Sequence, residues 1–169
     1  MSSSRDLAAL RQMQAWLAVV LVLAAHVADE ASTDFLGFYN PLVLELRARI
    51  PWFPMPTFSF VPWLVGLCGL VLVLALLGPA VRRGSRGTRV MAWALSVLMF
   101  LNALGHLGGS AYFRAWLPGT STAPFLLVAS AALAHATWRR RRVKDSEPGR
   151  RQAGRMNEPA RGWVTQSEG

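Results

Sequence analysis

Two groups of polar and ionisable residues interrupt otherwise apolar segments of the chain. His26, Asp29 and Glu30 form the first group, and Asn102 and His106 form the second. Within each group the spacing of three or four residues places the side chains on one face of a helix. Imidazole and carboxylate groups on a shared face bind metal ions or transfer protons. Because ionisable groups are costly inside a membrane, this pattern indicates a site.

The segments around these groups are long and apolar. The chain has 169 residues, of which 53% are hydrophobic. A membrane span needs roughly 20 mainly apolar residues. Residues 60–80 and 90–109 meet this length, residues 122–138 are slightly short, and residues 13–30 are the weakest candidate. We therefore predict an all-α fold, a bundle of four transmembrane helices.

The predicted organisation has three parts. Residues 1–12 are a polar lead, residues 13–142 a four-span membrane domain, and residues 143–169 a disordered basic cytoplasmic tail. In the first outer loop, a short interfacial helix is predicted at residues 42–50, directly after Pro41. Six tryptophans fall near predicted span ends, as in an interfacial aromatic belt: Trp16, Trp52, Trp63, Trp93, Trp116 and Trp138.

The positive charges predict the orientation of the spans. The net charge is +9, and most arginines lie before the first span, in the second loop or after the last span. The positive-inside rule then places both termini in the cytoplasm of a multi-pass protein of the plasma (inner) membrane. Nucleic-acid binding is not expected, since these arginines flank spans. Beyond the lipid bilayer itself, anionic lipid headgroups are expected partners of one block: Arg139, Arg140, Arg141 and Arg142.

A secretory signal peptide is an alternative explanation of the first apolar segment. Arg5 and Arg11 precede it, and small residues follow it. Cleavage near Ala28 would remove His26 and with it the proposed site.

The topology brings the two polar groups to one depth near the outer leaflet. His26, Glu30 and His106 then form a set of two histidines and one carboxylate, which suits one zinc or iron ion. Asp29 and Glu30 are the predicted catalytic carboxylates, and Asn102 is expected to hydrogen-bond behind the ligands. The alternative is that residues 26–30 are a solvated helix end.

Three short motifs follow one another in this chain: HVADE at 26–30, NALGH at 102–106 and WLPGTST at 116–122. Together they resemble the motifs of the HXXEE family of small membrane proteins, over about residues 20–138. Asp29 stands where that family has its first glutamate, and Trp116 stands where it has a tyrosine. The resemblance implies a multi-helix membrane domain and an uncleaved first segment, but no particular reaction.

The third motif suggests that further residues line the site, namely Tyr112, Trp116 and Thr122. His135 lies toward the opposite end of the last span and is not expected to join it. Cys68 is the only cysteine, which excludes an intramolecular disulfide and a thiolate metal cluster.

The functional hypothesis from the sequence is a metal-dependent membrane enzyme that acts on a lipid or another apolar substrate. Hydrolysis is the first choice of reaction, ahead of oxidation and isomerisation. Two alternatives stay open. One is a component of a proton-coupled transporter, and the other is a structural or partner-binding protein without catalysis. The sequence does not settle the oligomeric state.

Overall fold

The structure, a computed structural model, describes residues 4–145. Within this range the fold is built from helices. The predicted tail at 143–169 lies almost wholly outside this range. The helices are α1 (Ser4–Ser32), α2 (Phe35–Arg49), α3 (Phe60–Leu76), α4 (Gly78–Arg83), α5 (Arg86–Phe113) and α6 (Ala123–Asp145).

The helix α6 is the centre of the bundle, because it packs against both α1 and α5. It is antiparallel to α1. Near one end Gln12 Nε2 donates to Thr137 Oγ1 at 3.1 Å, and near the other His26 Nδ1 lies 2.7 Å from Thr122 Oγ1. The apolar residues between these polar contacts form the core, including Trp16, Val19 and Leu23 of α1, Leu126 and Leu133 of α6, and Ala92 and Ala103 of α5.

The second apolar segment is divided into α3 and α4. It breaks at Gly78-Pro79, as the sequence indicates, because proline lacks the N–H that would continue the helix. Trp16 is completely buried, and its indole Nε1 donates to the carbonyl of Leu74 at 2.7 Å. That carbonyl is one of the last four of α3. The prediction that Trp16 belongs to an interfacial belt is therefore wrong, since its ring fastens α1 to α3.

Within residues 4–145, three stretches are long and apolar enough to cross a membrane: Ser4–Ser32, Phe60–Arg83 and Arg86–Phe113. The helix α6 is not among them, because only residues 123–138 precede its run of four arginines. Length and composition therefore support three membrane-spanning stretches, but by themselves they do not support the fourth predicted span, α6.

Several helix ends differ from the predicted segments. The helix α1 begins at Ser4, inside the predicted polar lead, and α6 continues to Asp145. The helix α2 begins at Phe35, not at Pro41, because Asp34 adopts a left-handed conformation and its Oδ1 accepts a hydrogen bond from Gly37 N at 3.3 Å. The helix α5 continues to Phe113, past the predicted end at Gly108-Gly109. Glycine inside a helix costs only about 1 kcal/mol, which packing against α6 offsets.

The side chain of Asn40 holds α2 to the chain that returns toward α3. Its Nδ2 donates to the carbonyl of Phe58 at 2.9 Å, and its Oδ1 accepts from the Phe58 N–H at 3.0 Å. Tyr39 donates from its hydroxyl to the carbonyl of Pro56 at 3.0 Å. These contacts fasten α2 to the segment that leads into α3.

Candidate metal centre

The two predicted histidines meet at the ends of α1 and α5. The ring centroids of His26 and His106 are 4.7 Å apart, with the planes nearly perpendicular. Between them lies Glu30, whose Oε1 is 3.5 Å from His26 Nε2 and 3.1 Å from His106 Nε2. His26 and Glu30 are buried, being 1% and 5% exposed. The helical spacing and helix direction thus bring together the three residues expected to bind a metal.

The chain after α5 fixes the protonation of His106. Its Nδ1 lies 2.7 Å from the backbone carbonyl of Pro118. A carbonyl oxygen only accepts hydrogen bonds, so Nδ1 must carry the hydrogen. In the neutral ring Nε2 is then unprotonated, and this atom lies 3.1 Å from Glu30 Oε1.

The same segment fixes His26 through a second contact. Thr122 donates from its hydroxyl to Asp29 Oδ2 at 2.9 Å, so its oxygen accepts from His26 Nδ1 at 2.7 Å. The neutral His26 ring therefore also leaves Nε2 unprotonated. Histidines that bind a metal through one ring nitrogen commonly donate a hydrogen bond from the other to a carboxylate or another acceptor, which orients the ring.

Gly119 lets this segment close over both rings. Its φ of +82° is one that L side chains rarely adopt, and a Cβ there would lie 2.7 Å from His106 Cε1 and 2.9 Å from His26 Cε1. The segment is also tied to α5 by Ser110, whose hydroxyl shares a 2.5 Å hydrogen bond with Thr120 and accepts one from the Leu117 N–H. The site is consequently covered by backbone at this side.

The candidate ligand atoms lie close together at the centre of the site. The ligand atoms of His26, Glu30 and His106 all lie within 4.8 Å of one another. Two ligands of a tetrahedral zinc ion, with bonds of about 2.0–2.1 Å, are about 3.3 Å apart, close to the separations that Glu30 Oε1 makes with the two rings. Among the described residues, no arginine or lysine forms an ion pair with Asp29 or Glu30. The group could therefore hold a metal ion.

Two buried polar atoms at this centre have no hydrogen-bond partner among the described residues. They are His26 Nε2 and Asn102 Oδ1. Burying a polar atom without a partner costs about 1–3 kcal/mol, so each atom is poised for a ligand or water. Asn102 thus borders the group of two histidines and one glutamate, and its side chain interacts with the His26 ring, although no hydrogen bond of good geometry joins them.

The structure separates the remaining residues suggested by the third motif. Thr122 contacts His26 directly. Tyr112 is 82% exposed and packs edge-to-face on Phe113, while Trp116 is 77% exposed and donates to Ser121. Neither position brings the ring against the ligand atoms. The carbonyl of Pro118 and the backbone of Gly119 contact the histidine rings instead. The sequence patterns did not mark these two residues as part of the site, although a Pro-Gly pair is a turn signal.

A second polar cluster lies at the opposite end of the bundle. Arg140 donates to Gln12 Oε1 at 2.8 Å and to the carbonyls of Val81 and Arg82 at 2.7 and 2.6 Å. His135 lies toward this end too, where it packs on Trp138. Arg140 is therefore engaged with the protein itself, in contrast to the expectation that all four arginines of its block face lipid headgroups.

The fold and the site define a helical bundle with apolar candidate spans and a group of two histidines and one glutamate. The chain belongs to the family described as "Protein of unknown function with HXXEE motif", which matches residues 16–134. This confirms the resemblance seen in the motifs. No curated protein and no solved structure matches the chain.

Proposed function

We propose that this protein is a membrane-embedded hydrolase that uses one metal ion, zinc in the first instance, on an apolar substrate. The observation that carries the proposal is the orientation of the two histidines. Because Pro118 and Thr122 occupy both Nδ1 atoms, both Nε2 atoms of the neutral rings are unprotonated, and they lie 3.5 and 3.1 Å from Glu30 Oε1. Two unprotonated imidazole nitrogens and one carboxylate that lie together in a buried site are a donor set that suits a divalent metal ion.

Three protein ligands leave one coordination position free, which is typical of catalytic rather than structural zinc. A bound zinc ion would supply a hydroxide at neutral pH by lowering the pKa of its water. Glu30 would hold the ion through Oε1, the oxygen that lies near both rings, and its second carboxylate oxygen would be available to accept a proton. Asp29, which reaches the site only through Thr122, orients His26 rather than binding the metal. Iron remains the alternative metal for the same ligands.

The proposal includes four spans with both termini in the cytoplasm. The contacts of Gln12 with Thr137 and of His26 with Thr122 support it, because they show that α6 runs beside α1 over about 21 Å, or 14 residues at about 1.5 Å each. If α1 crosses the membrane, α6 crosses with it. The arginines of α4 and α6 lie at the end opposite the metal centre, which by the positive-inside rule is cytoplasmic. The metal centre then lies near the outer leaflet.

Elemental analysis of the detergent-purified protein tests the proposal. We expect about one zinc or iron ion per chain, and its loss in His26→Ala and His106→Ala. His135→Ala is the matched control, because it removes an imidazole of the same chain at the opposite end of the bundle. A folded wild-type protein that stays metal-free after incubation with zinc and iron salts would eliminate the metal centre.

The contact between Glu30 and His106 also supports a second candidate function. At 3.1 Å the two groups could share a proton in place of a metal ion. The protein would then transfer protons across part of a transport path, as ionisable residues within spans do. Flux of protons into liposomes that depends on His106 but not on added metal would favour this function over hydrolysis.

A further inference from the structure

An apolar cleft lies beside the metal centre, between α2 and the C-terminal half of α5. Phe35, Phe38 and Leu42 form one wall, and their spacing of three and four residues places them on one face of α2. The lining residues of α5 follow the same spacing and share a face as well: Asn102, Gly105, His106, Gly109 and Phe113. The cleft therefore lies between two helix faces that run beside each other.

Ring contacts connect these two faces at two points. The ring centroids of Phe35 and His106 are 5.8 Å apart, and Phe38 packs edge-to-face on Phe113 with centroids 5.6 Å apart. Between His106 and Phe113 the helix α5 advances seven residues, or about 10 Å at about 1.5 Å each. The cleft is consequently elongated, with aromatic rings at both points.

Two glycines form the floor of the cleft. Gly105 and Gly109 have the Gly-x-x-x-Gly spacing that often lets two membrane helices approach closely. Here no helix uses it, because a Cβ at Gly105 would meet no atom of the described residues within 4 Å. A Cβ at Gly109 would meet only the end of the Leu117 side chain, at 3.2 Å. A face that is suited to close packing is therefore left open along the cleft.

The size of the cleft limits what it can hold. Its volume is about 280 Å³. A water molecule takes about 30 Å³ and a methylene group is of similar size, so the cleft has room for about nine or ten methylene groups. One aliphatic chain of medium length fills this space, whereas a lipid with two such chains does not fit.

The cleft reaches the metal centre at His106. Of the three candidate ligands only His106 lines it, since His26 and Glu30 are buried and do not. The side chain of His106 is itself 10% exposed. A molecule with one polar end can thus place that end beside His106 and its apolar part along the two glycines.

We infer that the cleft binds a lipid with a single aliphatic chain, and that lipids of this class are the substrates of the proposed hydrolase. The chain lies over Gly105 and Gly109, between the aromatic residues of α2 and α5. The group to be hydrolysed lies beside His106. This inference rests on the proposed function, but binding of the chain can be measured without catalysis.

Competition binding in nanodiscs of a two-chain phosphatidylcholine tests the inference. The probe is tritiated 1-O-decylglycerol, because its ether bond is not hydrolysed and its chain matches the volume of the cleft. We expect saturable binding of about one molecule per protein chain. The competitor 1,2-di-O-decylglycerol has the same glycerol group but a second chain, and it should compete about tenfold more weakly after correction for partitioning into the bilayer.

Two glycines of α5 provide matched variants. A Cβ at Gly105 or at Gly108 meets no atom of the described residues within 4 Å, so leucine can be placed at either position without a clash at Cβ, but only Gly105 lines the cleft. We expect Gly105→Leu to weaken binding of the single-chain probe about tenfold or more, while Gly108→Leu binds as the wild type does. Thermal unfolding followed by circular dichroism verifies that both variants are folded.

Three results would overturn the inference: no saturable binding of the probe, equal competition by the one-chain and two-chain ethers, or equal binding by the two leucine variants. The metal content of the same preparations is measured in parallel. A protein that holds its metal but gives any of these results keeps the proposed metal centre and loses only the single-chain substrate. Saturable binding to a protein that takes up no metal would support the lipid site and overturn the metal-dependent hydrolase.

Discussion

The hydroxyl of Thr122 lies 2.7 Å from Nδ1 of His26 and connects this ring to Asp29 on the same helix. Thr122 directly precedes α6, whereas His26 and Asp29 both belong to α1. The contact therefore depends on the antiparallel packing of α1 and α6 and cannot form within either helix alone. It links the most deeply buried part of the bundle to the orientation of a candidate metal ligand.

Replacement of Thr122 by valine should weaken metal binding without unfolding the protein. Valine has nearly the same shape but cannot accept the hydrogen of His26 Nδ1, so the ring loses its fixed tautomer and orientation. Loss of such a supporting contact typically lowers metal affinity about 10–100-fold. Zinc affinity, measured by competition with a chromophoric chelator, reports the change.

Two companion variants separate this effect from a general one. Thr122→Ser keeps the hydroxyl and should retain most of the affinity. Ser121→Ala removes a neighbouring hydroxyl that only receives a hydrogen bond from Trp116, and it should bind zinc as the wild type does. Equal zinc affinity in Thr122→Val and the wild type would show that the contact has no positioning role.

Gly119→Ala should both destabilise the protein and disturb the metal centre. The added Cβ would lie 2.7–2.9 Å from Cε1 and Nδ1 of His106 and Cε1 of His26, and the φ of +82° disfavours any L side chain. The left-handed conformation alone costs about 1–2 kcal/mol. We expect a lower melting temperature in detergent, followed by circular dichroism, and substoichiometric metal.

Gly108→Ala is the control for this substitution, because a Cβ at Gly108 meets open space. It should leave the metal content unchanged and keep the melting temperature at or slightly above that of the wild type, since alanine favours a helix over glycine. If the two alanine variants melted together and bound metal equally, Gly119 would not close over the site as described.

Much of the metal centre follows from spacing and direction in the sequence. His26 and Glu30 share a helix face because they are four residues apart. His106 reaches the same depth because α1 and α5 run in the same direction along the bundle. These relations predict that the rings meet, and the 4.7 Å separation of their centroids agrees. Both arguments use only local helix geometry and the number of spans.

The supporting contacts could not be predicted in this way. The carbonyl that fixes His106 belongs to Pro118, and a backbone carbonyl is the same in every residue type, so no sequence pattern marks it. The burial of Trp16 was missed because an aromatic residue near a span end is equally compatible with an interface and a core. The packing of the apolar helix faces decides between an interface and a core. This packing depends on the central position of α6.

Trp16→Phe should lower stability although it preserves an aromatic ring. The indole Nε1 donates to the Leu74 carbonyl in a completely buried position. Phenylalanine leaves that carbonyl without this donor and leaves unfilled volume between α1 and α3, so we expect a loss of about 1–3 kcal/mol. Trp93→Phe changes a ring that is 39% exposed and is the control. Thermal unfolding in one detergent compares them, and equal melting temperatures would contradict the role of Trp16.

Arg140 and Arg139 should behave differently although they are adjacent and carry the same charge. The guanidinium of Arg140 donates to Gln12 and to two of the last carbonyls of α4, whereas Arg139 is exposed. Hydrogen bonds from a charged donor contribute about 1.5–3 kcal/mol each at most. We therefore expect Arg140→Met to lower the melting temperature clearly and Arg139→Met to leave it nearly unchanged.

Binding to liposomes with anionic lipid should show the reverse order, with the larger loss in Arg139→Met, because its charge is the one presented to headgroups. Equal effects of the two variants on stability would mean that Arg140 does not hold α4 against α1 and α6.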